Sequence, residues 1–356
     1  MKNKERISNV FDYDIIIVGG GPSGSTFARL IANKAKVLLI DKKTNDNTSF
    51  KKVCGGLLSE DAQKTLAKYN IAIPKTIIAD PQIFSVKVID LKKKVVQNYQ
   101  RFYLNLDRHK FDMWLLSLIP NFVNRITNNV TSIERLETGF KVHCNDKTYT
   151  TKYIVGADGA NSIVRRTFFP KKKIRSYVAL QQWFESNESN PYYSCIFDPD
   201  TSDCCSWTIS KDGYCVYGGA FNKKNCRKNF EKQKTNLEKF GLKFGKPLKT
   251  EACLVLRPKS FSDYFCGGKG VFLIGEAAGF ISPSSLEGFS YAFQSAEALE
   301  KSFNNKNINR KYKKNTFKMR LKLFTKNIKS LFIYCPILRY LIMKSKMKSI
   351  EVLERE

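Results

Sequence analysis

Residues 13–41 read YDIIIVGGGPSGSTFARLIANKAKVLLID. The β-branched run Tyr13–Val18 predicts a buried strand, a glycine-rich turn follows it, and residues 25–33 have the apolar spacing of a helix. A second apolar run, residues 36–41, predicts a strand parallel to the first. The stretch is therefore typical of a βαβ unit that opens a parallel sheet.

The glycine spacing of this turn fits a dinucleotide-binding fingerprint. Gly19 permits the tight turn, Gly21 lets the backbone approach a pyrophosphate, and Gly24 allows the helix to pack closely on the strand. Asp41 ends the second strand, where a carboxylate accepts hydrogen bonds from ribose hydroxyls. We predict that the nucleotide contacts Gly19, Gly21, Ser23, Gly24, Asp41 and Lys42.

The remaining strand patterns divide the chain into two domains and a tail. Apolar runs at Lys152–Gly156 and Gly270–Gly275 continue the parallel sheet, whereas aromatic-rich alternating runs at residues 83–96 and 177–221 predict antiparallel strands. The fold class is thus mixed α/β and α+β, with an antiparallel-sheet domain inserted into a Rossmann-like domain and helices at the C-terminus. The predicted ranges are 10–80, 101–176 and 261–305 for the nucleotide-binding domain, 81–100 and 177–260 for the substrate domain, and 306–356 for a basic helical tail.

The composition is that of a globular chain with a large excess of cations. Of 356 residues, 42% are hydrophobic and 13% aromatic, so the chain can bury a core and is not a disordered polymer. The 61 Lys and Arg exceed the 32 Asp and Glu, which gives a net charge of +29. Residues 301–350 hold 12 Lys, 3 Arg and no acid, so about half of the net charge is concentrated in this segment. We therefore expect the positive charge to have a function there.

Cysteine spacing and the N-terminus indicate the compartment. The ten cysteines include no CxxC pair, so we expect free thiols and no metal site. The segment Met1–Asn9 lacks an apolar signal core, and the chain has no run of about 18 apolar residues. We therefore expect a cytoplasmic protein, and the basic tail favours peripheral attachment to the inner face of the cell membrane.

Three further segments resemble the FAD-binding fold of aromatic hydroxylases and geranylgeranyl reductases. They are GADGANSIVRR at 156–166, GEAAG at 275–279 and RHKFDMWL at 108–115. In that family the Asp-Gly pair lies by the cofactor, the late motif holds the ribitol chain, and the helical Arg contacts the flavin nucleotide. The family usually has Asp where this chain has Glu276. The resemblance implies FAD as the cofactor, bound by Arg108, Asp158, Gly159, Gly275, Glu276, Ala277 and Gly279.

Two shorter segments resemble the geranylgeranyl reductases more narrowly. Residues 52–58, KVCGGLL, match a segment whose cysteine lies beside the flavin ring and the prenyl chain. Residues 205–210, CSWTIS, keep the tryptophan of a reductase strand pattern, and they also partly match a flavin halogenase signature. The resemblance implies that Cys54 and Trp207 are the catalytic residues and that Cys54, Gly55 and Gly56 contact the flavin.

Longer strings, such as QQWF at 181–184, are most similar to a bacterial branch of these flavoproteins linked with colicin M resistance. Colicin M attacks lipid-linked peptidoglycan precursors, so the resemblance implies chemistry on an isoprenoid or polyprenyl lipid. The expected reaction is reduction of carbon–carbon double bonds by hydride from flavin N5, with the proton donor left open between water and Cys54. A monooxygenase of the same fold and a non-catalytic, flavin-binding membrane factor are the alternatives. Because no second dinucleotide fingerprint occurs, we expect an external reductant, NAD(P)H or ferredoxin.

The tail has the pattern of a basic amphipathic helix. Its apolar residues Leu321, Phe324, Ile328, Leu331 and Phe332 share one helical face, and Lys318, Lys322, Lys326 and Lys329 flank that face. This pattern predicts binding to an anionic membrane surface. The alternative is that the apolar face packs on the nucleotide domain. We expect no nucleic-acid binding, because the bases interleave with a strong apolar series.

Overall fold

The computed structural model describes residues 11–44, 52–188 and 190–353, and the predicted N-terminal feature, Met1–Asn9, lies outside them. The strands are β1 (Tyr13–Val18), β2 (Val37–Asp41), β3 (Leu57–Leu58), β4 (Ile83–Asp90), β5 (Val95–Asn105), β6 (Asn124–Thr127), β7 (Val130–Arg135), β8 (Phe140–Cys144), β9 (Thr148–Gly156), β10 (Ser176–Glu185), β11 (Tyr192–Phe197), β12 (Ser206–Lys211), β13 (Tyr214–Phe221), β14 (Lys249–Leu256), β15 (Gly267–Gly268), β16 (Val271–Leu273) and β17 (Ser349–Ile350). The helices are α1 (Pro22–Ile31), α2 (Glu60–Lys68), α3 (Arg108–Ser117), α4 (Ile163–Phe168), α5 (Cys226–Lys239), α6 (Phe289–Glu300), α7 (Ile308–Asn315), α8 (Phe317–Tyr334) and α9 (Pro336–Lys344), with 3₁₀ turns at Lys75–Ile77, Phe261–Asp263 and Gly275–Ala278.

The first sheet has a parallel core in the order β16-β9-β1-β2-β6. Its central strands are apolar on both faces, as strands covered by other layers must be, and Ile15, Ile16 and Ile17 are fully buried. Helices α1 and α6 pack against each other. The antiparallel strands β7 and β8 extend this sheet from β9.

The carboxyl ends of the parallel strands bring four distant segments to one edge. The glycine turn follows β1, Asp41 ends β2, Asp158 follows β9, and Gly275 follows β16. In parallel sheets ligands bind at this edge, next to the strand where the order reverses. Here that strand is β1, because β2 and β9 lie on its two sides.

The second sheet is mostly antiparallel, in the order β14-β10-β13-β12-β11-β4-β5-β17. Helix α5 covers one face, where Phe184, Tyr217, Phe221 and Phe230 form an apolar cluster. These aromatic side chains therefore fill the core between the second sheet and α5.

The second sheet reaches further along the chain than its sequence pattern indicates. Strand β5 continues to Asn105, beyond the predicted boundary at residue 100, because Tyr103 still pairs with Ile83 of β4. At its other edge β5 pairs with β17 of the tail, and its end pairs with β3. Strand β3 thereby fixes the Cys54–Gly56 loop, which precedes it, to this sheet.

Candidate functional site

The turn after β1 is closed on its protein side and open on the other. A methyl group built on Gly19 would lie 2.6 Å from the Ala157 carbonyl oxygen, and one on Gly24 would overlap the Gly19 carbonyl. At Gly21 the same methyl group would meet only Lys43 Nζ, at 3.9 Å. The turn therefore offers the backbone at Gly21 to a ligand, and the N-terminus of α1 begins one residue later.

A chain of charges extends from this turn to helix α3. The Asp41 carboxylate accepts hydrogen bonds from the backbone N–H groups of Gly20 and Lys43. Lys43 Nζ lies 3.8 Å from Asp41 and 3.4 Å from the buried Asp112, and Asp112 pairs with Arg108 at 2.8 Å. Burial alone would raise the pKa of Asp112, but Arg108 and Lys43 hold it below its ordinary value.

This chain of charges decides between two interpretations of Arg108. The sequence also permits a solvated helix charge, but Arg108 is enclosed, and its guanidinium lies 4.7 Å from the centre of the Phe289 ring. Burial would lower its pKa, whereas Asp112 and the Cys54 side chain raise it. Arg108 is therefore a fixed cation between the predicted nucleotide and flavin-ring residues. Lys42 is exposed, and its neighbour Lys43 lies inside the site.

The three glycine segments contact one another. Gly275 is in the left-handed region with φ of 56°, and a methyl group there would lie 2.6 Å from Ser23 Oγ. The buried Arg165 donates hydrogen bonds to the carbonyls of Ala160 and Ala277, which ties the second segment to the third. The 3₁₀ turn Gly275–Ala278 ends at Gly279. The predicted residues from the three segments thus share one locality.

Glu276 forms an ion pair that the sequence pattern does not reveal. Its Oε2 lies 3.0 Å from Lys52 Nζ, and its Oε1 accepts a hydrogen bond of 2.8 Å from the Leu256 N–H. Burial would lower the pKa of Lys52, but Glu276 raises it. The Lys52 side chain therefore bridges the glycine segment of β16 and the Cys54 loop.

Two features at the second segment fit a dinucleotide. Asp158 Oδ2 accepts hydrogen bonds from Ile163 and Val164, whereas its buried Oδ1 has no hydrogen-bond partner among the described residues. Nothing lies within 4 Å of a methyl group built on Gly159. A buried acceptor without a protein partner, followed by a glycine with open space on one side, suits a hydroxyl-bearing ligand. Burial raises the pKa of Asp158.

A cleft of about 900 Å³ opens beside Asp41. It lies between β2, α3 and β6, and its wall includes Lys43, Trp114 and Arg125. The volume is within the range of small-molecule sites, and Asp41 at its edge is where a ribose would lie. The residues of the strand ends and this cleft together fit FAD, and the cleft would hold its adenosine half.

The Cys54 loop meets the second sheet at strand β12. Methyl groups built on Gly55 and Gly56 would lie 2.7 Å from Ile209 Cδ1 and from Lys211 Nζ, respectively. The Trp207 indole Nε1 would lie 3.9 Å from the Gly55 methyl group, and it has no hydrogen-bond partner among the described residues. Cys54 and Trp207, predicted from separate motifs, therefore belong to one locality.

Lys211 is the residue at this place that the sequence analysis missed. Alternate residues of a strand share a face, so Trp207, Ile209 and Lys211 point the same way. Lys211 is 5% exposed and donates a hydrogen bond of 2.6 Å to the Leu106 carbonyl. Burial lowers its pKa to about 8, against the opposing effects of Cys54, Asp107 and Asp212. The sequence did carry one signal for Lys211: it lies four residues after Trp207 in a predicted strand, so both side chains are on the same face.

No protein-family model matches the chain, whereas curated proteins and solved structures do. The chain is 45% identical over 350 residues to Protein CbrA of Shigella flexneri serotype 5b, with 96% of each chain covered. It resembles a geranylgeranyl bacteriochlorophyll reductase-like protein of Thermoplasma acidophilum, with a TM-score of 0.75 at 19% identity over 93% of this chain and 90% of the other.

Other solved structures extend the same fold to FAD-dependent proteins. They include PqsL of Pseudomonas aeruginosa, a probable FAD-dependent monooxygenase, with a TM-score of 0.70 at 13% identity over 94% of this chain and 99% of that one. They also include HpxO of Klebsiella pneumoniae, complexed with FAD, with a TM-score of 0.67 at 13% identity over 94% of each.

These likenesses confirm the predicted fold class, and with the site geometry they support FAD as the cofactor. The predicted resemblance to reductase-like flavoproteins is confirmed as well. Because a curated relative matches at 45% identity along nearly the whole of both chains, the protein belongs to the CbrA family.

Proposed function

We propose that the protein is an FAD-dependent oxidoreductase that reduces carbon–carbon double bonds of an isoprenoid or polyprenyl lipid. The observation that carries the proposal is the contact between the Cys54–Gly56 loop and the Trp207–Lys211 face of β12. Both segments resemble reductase motifs, and they meet where the nucleotide domain faces the second sheet. The Thermoplasma neighbour with a reductase-like name supports this choice within the fold.

Reduced FAD, when bound, supplies a hydride from N5. The other residues of the site would position the alkene and exclude water. The half-buried Trp207 offers a broad apolar wall for a prenyl chain. Cys54 lies on the opposite side of the contact, held by the loop that β3 fixes to the second sheet.

Reduction also needs a proton on the second alkene carbon, and we assign that proton to Lys211. Its ammonium group has no ion pair among the described residues and lies against the Cys54 loop. A pKa of about 8 leaves the group protonated at neutral pH, yet able to release a proton. Hydride at one carbon and the Lys211 proton at the other complete the saturation of the double bond. An external reductant, NAD(P)H or ferredoxin, would supply the electrons that this reduction consumes.

The proposal is tested by photoreducing the purified flavoprotein without oxygen and mixing it with prenyl lipids or with oxygen. A reductase requires that lipid alone reoxidise the flavin. If only oxygen reoxidises it, and lipid becomes oxygenated, the activity is that of a monooxygenase. If neither lipid nor oxygen consumes the electrons at a useful rate, the protein is a flavin-binding factor.

Variants of Cys54 and Trp207 test the site assignment. We expect Cys54→Ala to retain FAD and to lower the rate of lipid reduction, whereas Trp207→Ala should mainly raise KM by removing an apolar wall. Cys226→Ala, on the distant helix α5, is the matched cysteine control. Unchanged steady-state kinetics in both site variants would show that these two residues only pack in the core and take no part in the reaction.

A further inference from the structure

The C-terminal helices expose an unusually apolar surface. On α8 it consists of Phe317, Leu321, Phe324, Ile328, Leu331 and Phe332, whose exposed fractions lie between 37% and 70%. We call these six residues the tail apolar face. Helix α9 adds Ile337 and Leu341, which are 63% and 56% exposed. Large apolar surfaces of this kind mark interaction sites in folded proteins.

The tail apolar face is a continuous stripe. Its residues follow one another at intervals of four, three, four, three and one. At about 100° per residue these intervals confine the six side chains to an arc of roughly 100°. A helix that is apolar along one such arc has a surface suited to lie on another apolar phase.

The opposite side of α8 already packs on the protein. Met319 and Leu323 are buried, and the Tyr264 hydroxyl donates a hydrogen bond to the Leu323 carbonyl. At the end of α8 the Tyr334 hydroxyl donates to the Ser284 carbonyl at 2.9 Å. The alternative from the sequence, in which the exposed series packs on the nucleotide domain, holds only in part: Phe317 and Phe324 each place a ring 6.1 Å from the Phe261 ring, whereas no such ring contact involves Ile328, Leu331 or Phe332 among the described residues.

The charges beside the stripe are cationic. Residues 301–350 contain no acid, and Lys318 and Lys329 are exposed with no ion pair within the described part of the chain. Two lysines predicted to flank the face are instead turned toward the protein. Lys322 pairs with Asp61 at 3.0 Å, and Lys326 lies 5.1 Å from the centre of the Tyr291 ring.

We propose that the tail apolar face docks on the surface of an anionic lipid bilayer. Acidic headgroups complement the lysines, and the acyl boundary accepts the apolar stripe. A second copy of the chain would bring the same cations to the contact and would be repelled. None of the described helices is long and apolar enough to cross a bilayer, so docking leaves α8 lying in the interface.

Docking would also bring the candidate site near the lipid. The inner side of α8 contacts Ser284 through Tyr334, and Ser284 follows the glycine segment that ends at Gly279. A helix with its side chains is about 10 Å across, so the bilayer would lie roughly one helix diameter from Ser284. The docking proposal does not depend on the proposed reaction, because binding is measured without turnover.

The experiment is co-sedimentation of the purified full chain with vesicles of phosphatidylcholine alone or mixed equally with phosphatidylglycerol. We expect binding to the anionic vesicles, weakened by salt. Lys318→Gln and Lys329→Gln should each reduce the binding constant about fivefold. Ile328→Ser and Leu331→Ser should each reduce it about tenfold, because each removes a large apolar group from the interface. Flavin absorbance and thermal unfolding of each variant verify that the fold is kept.

Matched control variants show whether binding depends on the tail apolar face itself or on the charge and exposed apolar groups of the whole chain. Lys223→Gln with Lys228→Gln removes two exposed cations near α5, and Phe122→Ser removes a ring that is 66% exposed elsewhere. Neither control should change binding. Three results would overturn the proposal: no sedimentation with anionic vesicles, equal binding by the face and control variants, or a dimer that Leu331→Ser dissociates.

Discussion

At Gly21 the space beside the backbone is open in the protein, so a ligand can occupy it. Gly21→Val should abolish FAD binding because the branched side chain occupies the pyrophosphate position, yet the fold should survive, since only Lys43 Nζ approaches that side. Flavin absorbance and thermal unfolding measure the two effects. Gly24→Val is the contrasting variant, because it collides with the Gly19 carbonyl and should unfold the turn. Full flavin content in Gly21→Val would show that the fingerprint is misassigned.

The role of Lys211 predicts a particular pH dependence. Because the ammonium form is the acid, lipid reduction should fall as pH rises through the pKa of about 8. Lys211→Arg keeps the charge but cannot release a proton, so we expect a loss of about 100-fold or more in the proton-transfer step and no fall near that pH.

A purely structural Lys211 would behave differently. Lys211→Arg would then restore most of the activity lost in Lys211→Met, and the fall in rate with pH would stay where it is in the natural chain. The kinetic pH profile of the two variants, recorded with the flavin fully bound, decides between these roles.

At single residues, the sequence predicts the glycines and Asp41 because their chemistry is tied to local backbone geometry. It does not predict Lys43, Lys52 or Lys211, because at least one partner of each lies far along the chain. Lys52, for example, meets Glu276 across 224 positions. Among 61 cations no motif separates a buried lysine from a solvated one, and only the alternation of side chains along a strand indicates Lys211.

Helix α9 is held to the second sheet by a buried ion pair. Arg339 Nε donates to Asp90 Oδ2 at 2.9 Å, and the two residues are 5% and 0% exposed. Arg339→Met should therefore lower the free energy of unfolding by about 3–5 kcal/mol, because it leaves Asp90 buried without its partner. Urea unfolding followed by circular dichroism measures the change.

The control for that prediction is an exposed ion pair of the same kind. Lys64→Ala breaks the pair with Glu60 on α2 and should change the free energy of unfolding by less than about 1 kcal/mol. Equal effects of the two variants would mean that the buried pair does not anchor the tail. Arg339→Lys should lie between them if the guanidinium geometry matters.

Among the elements, those with strong local patterns are predicted well and short ones are not. The strand predicted at residues 13–18 is β1 as observed. The tail, predicted to be helical, forms α7, α8 and α9. The sequence does not predict the end of β5 or the two-residue strand β17. Both are defined by pairing, of β5 with β4 and of β17 with β5, and not by their composition.

At the scale of the whole molecule, the site is assembled from segments as distant as Gly19 and Gly275. The sequence indicates this assembly because each segment follows an apolar strand, and parallel strands share one carboxyl edge. It does not indicate how the second sheet meets the nucleotide domain. That contact depends on the Cys54 loop packing against Ile209, which no local sequence pattern predicts.

The central claim is that this assembly transfers two electrons from FAD to an alkene. The most direct measurement is the mass spectrum of a prenyl lipid after a single turnover with the photoreduced protein in the absence of oxygen. We predict that the lipid gains two hydrogens for each flavin oxidised, with no added oxygen. A lipid of unchanged mass beside flavin that stays reduced would contradict the account.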